Sequence, residues 1–336
     1  MTTARTRSRR AVLLAAAGGV LLLLCLLSLA FGTRTVPAGD LFAVLTGRGD
    51  ADLNGLVWGG RLPRTSLGLL VGAALGLAGA VMQSLTRNPL GDPGLLGISA
   101  GAAFGVVVAV ATLGTVSLYG HLGFAFAGAL LASAVVYVLG SAGRGGATPV
   151  KLALAGVAIT ALLSSLTSGI SLVDPVALNR YRFWAAGSLA GQDGGVALRV
   201  LPFVVAGAVL ALASASALNS MALGDDVATA LGRRVGLVRL QGAVAITLLT
   251  GSAVAVVGPI VFVGLVVPHV ARAVAGPDHR WLLPYSMVLA PILVLAADIV
   301  GRVIARPGET EVGIVVAFVG APFFIALVRR RRLAEL

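Results

Sequence analysis

Residues 61–103 read RLPRTSLGLLVGAALGLAGAVMQSLTRNPLGDPGLLGISAGAA. Arg61 and Arg64 bracket Pro63, and no charge follows from Thr65 to Ser84. A run of that length is enough for a helix to cross the hydrocarbon core of a bilayer. Within it Gly68, Gly72, Gly76 and Ala80 recur every four residues, on one face of the helix. Three successive small-xxx-small steps let a second helix approach to backbone contact, a common basis of helix pairing in lipid. Gln83 lies on nearly the same face, a polar group at the helix end. Asn88-Pro89 breaks the helix, Asp92-Pro93 repeats the break, and a glycine-rich apolar run begins at Gly94. A lipid-facing anchor needs neither the ladder nor the broken turn. The wall of a passage can use both, because irregular backbone at membrane depth is tolerated where it is buried or lines a cavity.

The rest of the chain agrees. Of 336 residues, 58% are hydrophobic and 11% charged, with mean hydropathy +0.99. Soluble domains carry about 25% charged residues, so the composition is that of an all-α polytopic membrane protein. The single cysteine, Cys25, lies in an apolar run and excludes a disulfide framework or thiolate metal cluster within one chain. A net charge of +12 on a soluble protein would suggest nucleic acid. Here the basic residues are arginines at helix ends plus one lysine, Lys151, and set topology in membrane lipid; no nucleic-acid partner is implied.

Hydropathy predicts ten spans, near 11–31, 64–84, 94–113, 122–139, 150–170, 196–216, 237–257, 260–275, 281–300 and 312–328. The first follows Arg5, Arg7, Arg9 and Arg10 and is too long for a signal-peptide core, so it is read as a retained helix. The eighth is short enough to begin as a half helix. An even number of spans places both Arg-rich termini, including Arg329 to Arg332, in the cytoplasm. No connection is long enough for a soluble domain, so residues 1–336 form one transmembrane domain. The longest, 32–63, lies outside. Tyr181 and Trp184 in the outer segment 171–195 suit an interfacial belt. Leu69–Gly79, LLVGAALGLAG, and Leu248–Gly258, LLTGSAVAVVG, share five of eleven positions on helices of opposite direction, the pattern of an inverted repeat.

The most polar inner connection, about residues 220–233, contains LGDDVATALG at 223–232. Leu223, Val227, Ala230 and Leu231 share a helical face, with Asp225 and Asp226 at its start and Arg233 and Arg234 past its end. Such a helix either lies on lipid or docks a protein. Its small apolar face, without Trp or Phe, favours docking. Catalytic parts are missing. No glycine precedes Lys151 in a GxxxxGK[ST] loop, so any ATPase is a separate chain; HExxH is also absent. His121, His269 and His279 are far apart in sequence; His269 is expected to be packed or interfacial, and His279, between Asp278 and Arg280, solvated. No metal site, cofactor or catalytic residue is assigned. Asp298 is four residues from Arg302 and reads as its anchor. In a proton- or sodium-coupled secondary transporter, the alternative function, it is the ion-site candidate.

Several blocks together resemble the FecCD-type permeases of binding-protein-dependent ABC importers for iron–siderophores, haem and cobalamin. They are RLPR with its glycine ladder and NPLGDPGLLGISAGA, then FWAAGSLAG at 183–191 and LGDDVATALG at 223–232. GPIVFVGLVVPHVAR at 258–272, GPDHRWLLPYS at 276–286, DIVGR at 298–302 and VGAPFFIALVRR at 319–330 follow in family order. One departure is Glu309-Thr310-Glu311-Val312-Gly313, with Glu311 where the family usually has proline, which bears on the start of the last span.

The resemblance implies a ten-helix type II importer permease in the bacterial cytoplasmic membrane, working by alternating access. It implies a dimer with a second permease subunit, two cytoplasmic ABC ATPase subunits and an extracytoplasmic substrate-binding protein. Arg61, Arg64 and Arg302 match the outer arginines that dock the binding protein. Leu223, Gly224, Asp225, Ala228, Leu231, Gly232 and Arg233 match the helix that couples to the ATPase. Gln83, Asn88, Pro89, Leu90 and Thr148 match the pathway and its cytoplasmic gate.

Overall fold

In lipid the hydrophobic effect does not hold helices together, so close packing of small residues must. The computed structural model shows which helix uses the glycine ladder. It describes residues 2–114, 118–143, 148–192 and 194–329, and all regular structure among them is helical. Helix α1 (Thr2–Ala30) is followed by α2 (Ala38–Leu45) and α3 (Ala51–Asn54). A π-helical segment, Gly55–Arg61, runs straight into α4 (Leu62–Thr86). A 3₁₀ turn at Pro93–Leu96 leads to α5 (Ile98–Leu113), α6 (Leu118–Ser141) and α7 (Pro149–Val173). Next come α8 (Pro175–Ala185), α9 (Gly194–Ala213), α10 (Ala215–Met221) and α11 (Asp225–Ala230). The chain closes with α12 (Val235–Val257), α13 (Val263–Ala275), α14 (His279–Ile304) and α15 (Val312–Arg329).

Among the described residues, seven helices have the length and apolarity to cross a membrane. Three shorter apolar ones, α5, α13 and α15, supply the remaining spans expected from hydropathy. Helices α4 and α12 form the centre, each 78% buried over its apolar window, whereas α1 and α7 are 11% buried there. The ladder faces α14. A Cβ on Gly72 would lie 2.5 Å from Pro291 Cα, and one on Gly76 would lie 2.4 Å from the Ser286 carbonyl oxygen. Gly79, off the ladder, faces α13: a Cβ there would come within 2.0 Å of the Gly264 oxygen. The two helices that share the sequence repeat also share a layout. Each is followed by irregular backbone and a left-handed residue, Gly97 or Phe262, immediately before a short helix.

Helix α13 is a half helix, as its length suggested. Helix α12 ends at the face that the expected topology makes the outer one, where the Val257 carbonyl accepts from Ser188 N–H. Helix α13 begins beside Gly79, seven residues short of the inner end of α4, which is roughly 10 Å inside it. Residues 258–262 cross the intervening depth without helix, bordering an apolar groove of about 580 Å³ against α15. That satisfies the rule for irregular backbone in a membrane.

Several expectations need correction. The second span is the end of a continuous 36-residue helical rod, Ala51–Thr86, so it starts well before residue 64. The outer segments contain α2, α3 and α8, which hydropathy cannot detect because they are short. Their caps were visible: Asp50 accepts from Leu53 N at 2.8 Å, and Asp174, followed by Pro175, accepts from Val176 N at 2.9 Å. Replacement of proline by Glu311 leaves the start of α15 at Val312, as expected. Arg144 and Arg330 to Arg332 lie outside the described residues, as does the side chain of His121.

Candidate functional site

Two regions carry the polar chemistry, one at each end of the bundle. At the outer end Arg61, Arg64 and Arg302 line one cleft of about 420 Å³ with Glu309, Gln192 and the Leu189–Gly191 backbone. Their positions follow from three elements meeting there: the π segment, the start of α4 and the end of α14. The guanidiniums are heavily bonded within the chain. Arg61 donates to the carbonyls of Leu29 at 2.6 Å and Ala30 at 2.8 Å, and to that of Arg34. Arg302 donates to Ser28 O at 3.0 Å, Phe31 O at 2.9 Å and Ser28 Oγ at 2.8 Å. The carbonyls orphaned at the end of α1 are thereby satisfied by two buried arginines. Arg64 bridges Asp298 at 2.8 Å and Glu309 at 2.6 Å. Arg302 lies 2.9 Å from the other Asp298 oxygen, within ion-pair distance.

This clasp has a measurable weight. Arg302→Met removes a guanidinium that is only 2% exposed and leaves the α1 carbonyls unpaired. Breaking a buried charge pair costs about 3–5 kcal/mol. We expect a clear fall in the thermal midpoint of the detergent-solubilised protein. Arg34→Met breaks only the exposed Arg34–Asp52 pair and should cost about 1 kcal/mol or less.

At the inner end the segment 215–234 sits against α4. Gly224 and Gly232 take positive φ, +114° and +79°, on either side of α11. Gly232 N–H bonds to Thr229 O and Arg233 N–H to Ala228 O, both at 2.9 Å, which closes the helix in a Schellman turn. Ala228 is fully buried against the bundle, while Leu223, Val227, Ala230 and Leu231 are exposed together. Asp225 is held by Arg87 at 2.5 Å and Arg239 at 2.6 Å, and Arg233 donates to Ser216 Oγ at 2.9 Å. Arg87 itself has φ +47° and caps α4 in the left-handed conformation usually left to glycine. Beyond it Asn88 Oδ1 accepts from Leu90 N at 2.9 Å, Asn88 is exposed, and Pro89 and Leu90 are half-buried. Thr148 caps α7, and Pro149 and Thr86 border the same small cavity, so the two inner helix ends adjoin.

Comparison with known proteins decides the family. The sequence profile of the FecCD transport family matches residues 20–330. The chain belongs to the FecCD transport family. The ferric enterobactin transport system permease protein FepD of Escherichia coli K12 is 51% identical over 91% of each chain. The hemin transport system permease protein HmuU of Yersinia pestis is 38% identical over 92% of this chain and 94% of its own. A solved inward-facing metal-chelate type ABC transporter superposes with TM-score 0.85 at 28% identity, over 95% of this chain and 99% of that one. The FecCD protein is therefore a non-enzymatic, multi-pass permease subunit of an ABC transporter in the cytoplasmic membrane; ATP hydrolysis belongs to a separate subunit.

Within the FecCD permease the structure brings Arg61, Arg64 and Arg302 together, and likewise residues 223–233. Gln83 adjoins Asn88–Leu90, its backbone carbonyl accepting from Asn88 N–H at 3.1 Å, but its side chain is engaged elsewhere. Gln83 is wholly buried against α13, where its Nε2 donates to Leu265 O at 3.1 Å and its Oε1 faces Arg272 at 3.4 Å. Arg272 and Arg87 went unnoticed in the sequence. Arg272 lies in the last turn of α13, where an arginine reads as an ordinary helix-end charge. The expectation for His279 was wrong. It is buried, with Nε2 2.6 Å from Ser84 Oγ and Nδ1 2.7 Å from Asn219 Oδ1. Its neighbour Asp278 accepts from Asn219 Nδ2 at 2.7 Å and Arg280 N at 3.0 Å. Burial pushes that carboxyl up, but these bonds and the Arg280 and Arg10 charges outweigh it and hold the group below its ordinary value.

Proposed function

We propose that this permease imports a ferric siderophore or a related metal chelate by alternating access, paired with a second permease copy or a similar chain. A binding protein would deliver the chelate over the outer cleft, and two ATPase subunits would dock on the exposed apolar face of α11. The chelate would then leave through the gate at Asn88, Pro89, Leu90 and Thr148, beside Gln83. The observation that carries this reading is the pairing of opposite ends: a cationic cleft at one end of the bundle, a glycine-bounded helix with an exposed apolar face at the other. The ferric enterobactin and hemin permeases among the relatives support the chelate class.

The cleft holds three arginines against Asp298 and Glu309, a net charge of +1. An acidic group on the binding protein complements that excess. Glu309→Gln raises the excess without touching the α1 clasp, and should tighten association with the co-encoded binding protein about threefold to tenfold at low salt. The gain should vanish at high salt. Affinity unchanged by Glu309→Gln at low ionic strength removes the docking assignment. Uptake of radiolabelled ferric enterobactin into proteoliposomes holding the full complex tests the substrate.

A further inference from the structure

Two ties join the segment carrying α11 to the inner end of α4. One is the Asp225–Arg87 ion pair, whose side chains are each 40% exposed. The other runs Asn219–His279–Ser84, with His279 buried and its two partners half-buried. Asn219 lies on α10, which is anchored by the buried Leu218 and Met221 and joined to α11 by the tight turn at 222–224. Its amide oxygen meets both the backbone N–H of His279, at 2.9 Å, and Nδ1, at 2.7 Å. Its amide nitrogen is used by Asp278. The oxygen therefore faces the ring, and Nδ1 carries hydrogen. In the neutral ring Nε2 is then the acceptor for Ser84. Ser84 Oγ also lies 2.6 Å from Ala80 O, in the preceding turn of its own helix. One hydroxyl proton serves one acceptor, so Ser84 either bonds back to α4 or latches onto His279.

We propose that His279 is a positioning residue that transmits displacement of the α10–α11 segment to the inner end of α4, through the Ser84 latch. Ser84 is adjacent to Gln83 and four residues from Asn88, so the latch acts where the proposed gate begins. The exposed Asp225–Arg87 pair is screened by water and salt and is the weaker link. The Asn219–His279–Ser84 tie, centred on a buried ring, is shielded better. This inference rests on the importer reading given above.

The test uses the permease–ATPase complex in nanodiscs, with the co-encoded binding protein loaded with ferric enterobactin as the probe. The readout is the ratio of stimulated to basal ATP hydrolysis, a ratio that a merely structural defect would not change. Ser84→Ala and His279→Asn should each lower the ratio about tenfold, as loss of one hydrogen bond implies, with basal hydrolysis retained. The double variant should be no worse than either single one, because both cut the same bond. Ser84→Thr, which keeps the hydroxyl, should restore most of the ratio. Arg87→Gln should change it about twofold or less. A wild-type ratio in Ser84→Ala, additive losses, or a larger effect from Arg87→Gln than from Ser84→Ala overturns the proposal. If the wild-type complex shows no stimulation, the importer reading fails and the latch falls with it.

Discussion

Leu231→Asp and Gly232→Val should leave the permease folded in the membrane and abolish uptake. Leu231 is 59% exposed on the apolar face of α11, so an aspartate there meets no resistance from the permease itself. Its charge is instead placed where a partner must desolvate it, and an unpaired charge buried at an interface costs several kcal/mol. Gly232 acts differently. Open space surrounds a Cβ at this position, but φ is +79°. Left-handed backbone costs an ordinary L residue about 1–2 kcal/mol, and a β-branched residue suffers more. Valine therefore unwinds the Schellman turn and re-aims α11. Expression and thermal midpoint should stay near wild type, while uptake and stimulated ATP hydrolysis fall together. Wild-type transport by both variants would make α11 a lipid-surface element.

Gly79→Leu should prevent accumulation of folded protein. The side chain has no volume available, because Gly264 backbone atoms lie 2.0–2.5 Å from the position of its first carbon. Helices α4 and α13 would have to separate. That breaks the hydrogen bonds of Gln83 to Gly264 and Leu265 and the packing of Pro93 on Gly264. Overpacking costs about 1–3 kcal/mol where side chains can yield. Backbone cannot yield in the same way, so the loss lies at or above the top of that range. Gly18→Leu in α1, with nothing within 4 Å, is the control and should be nearly neutral. Size-exclusion profiles and thermal midpoints in detergent separate the two outcomes.

The fold was legible where one residue type decides it. Apolar runs marked all ten spans, and the four-residue ladder marked a close helix pair, although not its partner α14, which sequence spacing alone does not reveal. Gly232 announced a left-handed cap, whereas Arg87 adopts one without being glycine and could not be foreseen. The outer arginines were found, but their burial was not, because the carbonyls that hold Arg61 lie 27–32 residues away at the end of α1. His279 was misread for the same reason. Local sequence showed Asp278 and Arg280 beside it, while its partners Asn219 and Ser84 are 60 and 195 residues distant. Hydrogen bonds between distant segments leave no periodicity to read.

The half length of α13 has a mechanical consequence. A helix that spans a membrane is a rigid rod, and pushing one end moves the other. Helix α13 has no helical outer half, only the five-residue strap 258–262. A tilt imposed on its inner end is absorbed by rotation in that strap, at Gly258 and Phe262, and is not carried to the outer mouth. The decoupling is confined to α13: helices α4 and α14 are full-length and join Ser84 and His279 at one end of the bundle to the arginine clasp at the other.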